Sequence, residues 1–374
     1  MELRKYVAEI LDDLRMNGEE SLRKYMAEFD RYDGDIFPTE EEWGNAGLIT
    51  EKEKETFKRI IDRIYDFHNR EEKSEFAYVK NGSLYGMKEV AINRVGLYIP
   101  GGKPLPSTLI MTVIPALLAG VSEIVVCTPP VNGKIRPEIL YLAEKFNIGE
   151  IYKIGGVQAI AAMTYGICMK KVDKIFGPGN SYVNEAKRQV FGDVGIDSLA
   201  GPSEICVIAD EYADAEYILY DLMSQREHGN DSKAWLLTTS ETLAEYCEDD
   251  LIEVLKFNTV EECIEKSNEI APEHLEINVE NPLVYLESIK NAGAVYFGQY
   301  TPVPCADYFL GTNHVLPTGS SARFSSVLTV DDFRKRMAYS FLTKNEFMEN
   351  RELGITMAGM EGLEYHGKSL KVRK

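Results

Sequence analysis

The chain has 374 residues, 44% of them hydrophobic and 27% charged, enough at roughly 150 residues per domain for two domains with sizeable cores. Its 41 Lys and Arg stand against 60 Asp and Glu, a formal charge of -19. That balance argues against a nucleic-acid protein and against docking on an anionic membrane, since both need clustered cations, and it sits more easily with a small polar or cationic ligand.

Leu3, Val7, Ile10, Leu11 and Leu14 recur at helical spacing until Asn17-Gly18 stops the pattern. This opening segment is amphipathic and acidic, without the uninterrupted apolar core of a signal peptide. Further helices are expected over 20–29 and about 51–69. From about residue 88 short β-branched runs alternate with helical stretches. VGLYIPGG, EIVVCTPP, EIYKIGG and KIFGPGN form one set of strands, and EICVIAD, AWLLTTS, LEINV and AVYFG form a second. Helices over 213–228 and 260–270 fall within the second set. The alternation predicts an α/β fold of two doubly wound, incomplete Rossmann-like parallel-sheet domains, with a helical N-terminal segment and a helical C-terminal tail.

The expected boundaries join 1–97 with 204–328 in one domain and place 98–203 in the other, with the crossing near Leu199–Ser203. From about Asp331 the sequence reads as charged helix without a strand. That tail, 329–374, is too short to fold alone and is expected to pack on something else, such as a second subunit. The apolar stretch from Leu109 to Val121 is broken by Pro115 and too short to span a bilayer. The 6 cysteines are scattered singly, with no CxxC, which fits a reducing compartment and a cytoplasmic protein.

Three glycine clusters each follow a strand and precede a helix: Gly101-Gly102, Gly155-Gly156 and Gly177-Pro178-Gly179. Backbone amides at such turns can face a pyrophosphate; none spells GxGxxG and each taken alone reads first as a plain βα turn, while three at the carboxyl ends of strands in one sheet strengthen the case for a nucleotide crevice. The 5 histidines are sparser and sharper signals. His68 lies among charges in a helix and reads as solvated surface. Gln225 and His228 are three apart at a helix end and share a face. His274 adjoins Glu273 in APEHLE, His314 lies downstream of Asp307, and His366 has Glu361 and Glu364 nearby. No spacing is a dense metal motif, so spacing alone leaves zinc and an ordinary structural histidine both open.

These segments carry a resemblance. VGLYIPGG (95–102), IGGVQAIAA (154–162), KVDKIFGPGN (171–180), EAKRQV (185–190), AGPSEICVIAD (200–210), SQREHG (224–229), APEHL (271–275), ADYFLGTNHVLPT (306–318) and EGLEYH (361–366) run in the order of the histidinol dehydrogenase family, over most of the chain. The resemblance implies a zinc- and NAD-dependent oxidation of L-histidinol through L-histidinal to L-histidine, the last step of histidine biosynthesis. By match to the family motifs, Gln225, His228, Asp307 and His366 would hold zinc. Glu273 and His274 would be the acid/base pair. Ser203 and Glu361 would complete a substrate site shared with Gln225, His228, His274, Asp307 and His366. Tyr98, Gln158 and Asn180 would contact NAD. The 98–203 domain would then bind the cofactor, and the other would bind zinc and substrate. The family is a homodimer whose tail crosses to its partner, so His366 and Glu361 would serve the other subunit's site.

Three departures from the family pattern stand out: a late start, a short stretch between Thr239 and Glu262, and Arg226 and Asn230 where Ala and Pro are usual. They leave open a paralogue that oxidises another polar alcohol. The missing GxGxxG leaves open a zinc hydrolase without nicotinamide. The intact Glu273-His274 pair counts against a catalytically silent binding protein.

Overall fold

Four helices open the chain: α1 (Glu2–Asn17), α2 (Glu19–Tyr25), α3 (Glu40–Ala46) and α4 (Glu51–His68). The buried stripe of α1 is Val7, Ile10, Leu11 and Leu14. Thr39 and Thr50 start α3 and α4 through capping boxes with Glu42 and Glu53. The computed structural model describes residues 2–101, 105–199, 201–229 and 231–374. Met1, Gly102, Lys103, Pro104, Ala200 and Asn230 lie outside the described residues, and with them the second glycine of the first cluster and the Asn230 departure.

A hairpin of β1 (Phe76–Lys80) and β2 (Ser83–Ala91) follows, and then the first set of alternating elements: β3 (Arg94–Tyr98), α5 (Pro106–Ala119), β4 (Glu123–Cys127), α6 (Pro137–Lys145), β5 (Glu150–Tyr152), α7 (Gly156–Tyr165), β6 (Lys174–Phe176), α8 (Ser181–Val190) and β7 (Gly195–Ile196). The second set is β8 (Glu204–Ala209), α9 (Ala215–Arg226), β9 (Lys233–Thr238), α10 (Glu241–Tyr246), β10 (Glu253–Lys256), α11 (Val260–Ile270), β11 (His274–Asn278), β12 (Ala294–Phe297) and α12 (Val303–Tyr308). The chain closes with β13 (Arg334–Phe341), α13 (Lys344–Met360) and α14 (Glu364–Lys371).

Residues 1–71 and 92–333 form one unit, and 72–91 with 334–374 form another. The first unit holds two five-stranded parallel sheets, ordered β5-β4-β3-β6-β7 and β10-β9-β8-β11-β12. Numbered within itself, each sheet reads 3-2-1-4-5. The chain therefore repeats one topology although the sequence shows no repeat of fixed period. Both faces of each sheet are covered, which is why the strands read as continuous apolar runs. In β3, Val95 and Leu97 face a core with α4, α5 and α6, while Tyr98 faces one with α1, α7 and α8. In β8, Ile205 and Val207 face one core and Cys206 and Ile208 the other.

The helices α1, α2 and α4 pack on the first layer, α1 against α7 and α8 and α4 against α5. The sequence reading had grouped them with the second sheet. Their apolar stripes mark them as packed without showing on what. The apolar stretch from Leu109 forms most of α5, buried on nearly every side as an all-round hydrophobic helix must be. Among the described residues no helix is long and apolar enough to cross a membrane. The short stretch after Thr239 supplies α10 and the edge strand β10, so the second sheet keeps its fifth strand.

The second unit is an antiparallel sheet ordered β1-β2-β13 together with the packed pair α13 and α14. Here the sequence expectation of a tail without a strand is corrected. RKRMAYSF is exposed along nearly all of β13; its short alternation of Met337, Tyr339 and Phe341 with Ala338 and Ser340 follows three basic residues, and its backbone pairs with β2 from Arg334↔Ala91 to Phe341↔Leu84.

Candidate active site at the amino edge of the second sheet

His274 is the first residue of β11, paired with Ile205 on β8 and Ala294 on β12. Glu273 precedes it and is fixed by the amide of Glu204, the first residue of β8, which donates to Glu273 Oε2 at 2.9 Å. Glu273 Oε1 and His274 Nε2 lie 3.8 Å apart, and His274 Nδ1 lies 3.1 Å from the Tyr296 hydroxyl on β12. Asp307, in the last turn of α12, lies 3.4 Å from His314 Nδ1. Gln225 is buried in the last turn of α9, and His228 follows beyond the helix end, its amide bonded to the Gln225 carbonyl. Ser203 is half-buried just before β8. The residues expected from 203 to 307 thus gather where the strands of this sheet begin.

Burial governs the charges. It pushes the Glu273 carboxyl up to about 8, against the Glu204 amide that favours the ionised form. It pushes His274 down to about 4 in spite of the nearby Asp307 charge. The pair is therefore neutral at neutral pH, with the proton on the carboxyl and a free imidazole. Burial would also raise Asp307. The hydrogen bond from His314, together with the His274 and His228 imidazoles, outweighs it and holds this carboxylate below its ordinary value.

In open parallel sheets ligands usually sit beyond the carboxyl ends of strands. This cluster sits at the other end, where α9 and α11 finish. Helix C-termini carry partial negative charge and favour cations. The His228 imidazole, the Asp307 carboxylate and the Gln225 carboxamide are zinc-compatible donors in such a place. Among the described residues no three His, Cys, Asp or Glu side chains stand together as a complete cage, and a carboxamide belongs to none of those types. Glu361 and His366 belong to the second unit and are exposed there.

The turns at Gly155-Gly156 and Gly177 lie at the opposite, carboxyl edge of the first sheet, and their amides have partners within the protein. The Gly155 amide donates to Asp30 Oδ2 at 3.1 Å and the Gly156 amide to the Tyr98 hydroxyl at 3.2 Å. The Gly177 amide donates to Asp197 Oδ2 at 2.8 Å. These amides are already engaged, two of them by carboxylates, so they do not form a bare pyrophosphate cradle. Gly177 is required for another reason: at a φ of 117° its Cβ would lie 2.0 Å from the Tyr98 carbonyl oxygen. Tyr98 and Gln158 are buried at the switch point where the strand order reverses. Gln158 donates to Asp30 at 2.9 Å and keeps an unpartnered Oε1. Asn180 caps α8 and faces solvent.

Two histidines differ from the sequence reading. His68, expected on the surface, is 1% exposed, with Nδ1 2.5 Å from Glu71 and Nε2 3.1 Å from the Asn313 amide. One of the charges near it in sequence, Glu71, folds back onto it, so the charge pattern marks a buried partner and not a solvated face. His314, noted only as lying downstream of Asp307, joins the cluster outright. Tyr296 and Glu204 were missed because a buried Tyr and a strand-initial Glu carry no local signal.

The histidinol dehydrogenase family model matches residues 1–257 and 248–374. The chain is 57% identical over 373 residues to a histidinol dehydrogenase of Thermococcus kodakarensis, covering 100% of this chain and 99% of that protein. It is 42% identical over 399 residues to one of Bacillus subtilis, covering 100% and 93%. The crystal structure of histidinol dehydrogenase from Elizabethkingia anophelis superposes with a TM-score of 0.93 at 36% identity, covering 99% of this chain and 92% of that one. The shortness of the chain is shared with the Thermococcus protein and is no private loss. Full-length similarity of this kind, with the fold and the clustered residues in agreement, shows that the chain belongs to the histidinol dehydrogenase family.

Proposed function

We propose that the protein oxidises L-histidinol through L-histidinal to L-histidine with NAD and zinc, closing histidine biosynthesis. The observation that carries this reading is the convergence of Glu273, His274 and Asp307 with His228 and His314 at one edge of one sheet. Gln225, His228 and Asp307 would hold zinc together with His366. In a homodimer His366 and Glu361 would come from the partner's tail. The exposed Phe341, Met357, Met360 and Tyr365 of the second unit offer apolar surface for such packing. Cytoplasmic location remains part of the reading.

Zinc supplies a positive centre that orients the substrate hydroxyl and favours its ionised form. NAD supplies the hydride acceptor, twice per substrate, with Tyr98, Gln158 and Asn180 as its contacts. His274 is neutral and its Nε2 accepts the hydroxyl proton in the first oxidation. Glu273 exchanges a proton near neutral pH, so its carboxylate form can take one from the water that adds at the aldehyde stage. Ser203 and Glu361 would bind the substrate's polar groups.

The test is NADH formation from L-histidinol by zinc-reconstituted protein, with and without chelator. Chelator-sensitive production of two NADH per histidinol is expected. No turnover, with zinc and NAD still bound, would assign the protein to another polar alcohol. Turnover indifferent to chelator would remove zinc from the reaction.

A further inference from the structure

Glu276 lies on β11 two residues beyond His274 and is 1% exposed. Its Oε1 accepts the amide of Val303, the first residue of α12, at 2.8 Å. Its Oε2 accepts from Asn278 Nδ2 at 3.3 Å. The carboxyl of Asp221, half-buried on α9, lies within hydrogen-bonding reach of the same group. Two ionised carboxylates offer no proton to each other, so a bond between them requires that one of them be un-ionised.

The three elements met by this pair are those that carry the site. Asp221 precedes Gln225 by one helical turn, on the same face of α9. Val303 begins the short helix that ends with Asp307 and Tyr308. β11 begins with His274. We infer that Asp221 and Glu276 share one proton and act as a positioning pair, locking α9, β11 and α12 together so that Gln225, His228, His274 and Asp307 meet at one point. The assignment of those four to metal and substrate rests on the function proposed above. The bond between the carboxyls does not.

Burial pushes Asp221 up to about 6 and Glu276 well above the carboxylate range, so the proton resides on Glu276 and is donated to Asp221. The other titratable groups facing the pair are Cys305 of α12 and Tyr296 of β12, and burial raises both, leaving them uncharged at neutral pH. An apolar pair of the same volume would fill this space as well. It would not give the first amide of α12 an acceptor, nor tie that helix to α9.

The pair is tested in the full-length protein with Glu276→Gln, Glu276→Ala and Asp221→Ala. Glutamine reproduces the un-ionised acid, with its amide donating to Asp221 and its carbonyl accepting from Val303. Infrared difference spectra of the metal-free protein should show one un-ionised carboxylic acid fewer in Glu276→Gln than in the parent, with Glu273 common to both. Ring resonances of the 5 histidines report position without metal. Glu276→Gln should leave them in place, whereas both alanine variants should move those of His228, His274 and His314 and leave His68, on α4, as the folding control. Zinc affinity should fall about 10- to 100-fold in the alanine variants, the usual cost of losing an outer-shell partner, and stay within a few-fold in Glu276→Gln.

An unchanged carboxylic-acid band in Glu276→Gln would overturn the shared proton. Unmoved histidine signals in the alanine variants would overturn the positioning role. If Glu276→Ala disturbs His68 as well, Asp221→Ala, at the half-buried end of the pair, decides. A parent protein that binds no zinc would sink the metal reading alone, since the infrared and histidine spectra still judge the pair.

Discussion

His274 and Tyr296 stack with ring centroids 5.9 Å apart and planes inclined at 28°, and the Tyr296 hydroxyl lies 3.1 Å from His274 Nδ1. Burial keeps the phenol protonated. The phenol oxygen can accept from Nδ1, and that tautomer, the one the base role proposed above needs, leaves Nε2, on the Glu273 side, free to accept. Tyr296→Phe should remove that preference and lower kcat roughly 10- to 100-fold, as expected for a residue that orients another, with KM for histidinol nearly unchanged. Steady-state kinetics on the phenylalanine variant check it, and an unaltered kcat would show that the tautomer is set elsewhere.

His274→Asn should lower kcat by roughly 10²–10⁴, the usual share of a general base. Zinc content, measured by metal analysis of the same preparation, should not change, because the ligands lie on other elements. Loss of zinc in this variant would make His274 a metal ligand.

Glu273 gives stability a pH dependence whose sign follows from its burial. The unfolded carboxyl loses its proton near 4.5, whereas the folded one keeps it to about 8. Over that window the native state binds more protons than the unfolded state, so stability falls as pH rises. Metal-free Glu273→Gln should lack this contribution. His274, held down to about 4, makes the opposite contribution in both proteins, so the change in urea midpoint from pH 5 to pH 8 should be more positive in the variant than in the parent. Equal differences would mean that Glu273 titrates normally.

Gly177→Ala places a Cβ against the Tyr98 carbonyl at a backbone angle that alanine rarely adopts. A loss of at least about 2 kcal/mol is expected from the combined strain and clash. NAD affinity should fall with it, because Tyr98 and the turn before Asn180 share that contact. Chemical denaturation and NAD titration read the two effects separately.

His366→Asn should cost zinc. If the tail serves the partner's site, mixing His366→Asn and His274→Asn chains should recover part of the activity in the heterodimer, where one site keeps both residues. No recovery on mixing, with dimers formed, would place His366 in its own chain's site.

The parallel sheets were legible because burial on both faces leaves contiguous β-branched runs, as in Glu204–Ala209, whose every residue is buried. The strand Arg334–Phe341 was not, because its alternation is confined to Met337, Tyr339 and Phe341 among charged sequence, and it is exposed and held by backbone pairing. The pair Glu273-His274 was visible as neighbours in the chain. Asp221 and Glu276 were not, since their meeting depends on how α9 docks beside β11. His68 misled because one of its charged sequence neighbours, Glu71, folds back to bond it, while Asn313, far along the chain, meets its other nitrogen.

The pairing of β13 with β2 has a kinetic consequence. These strands flank the entire stretch from Ile92 to Phe333, so their contact closes a very long loop, and contacts of that separation form late. During synthesis the β1–β2 hairpin emerges early and waits with one edge unpaired until Arg334–Phe341 has left the ribosome. An open edge is a template for another chain. A protein cut before Arg334 should therefore keep both parallel sheets and yet aggregate through β2, and the full chain should be most prone to self-association in the interval before its end is made.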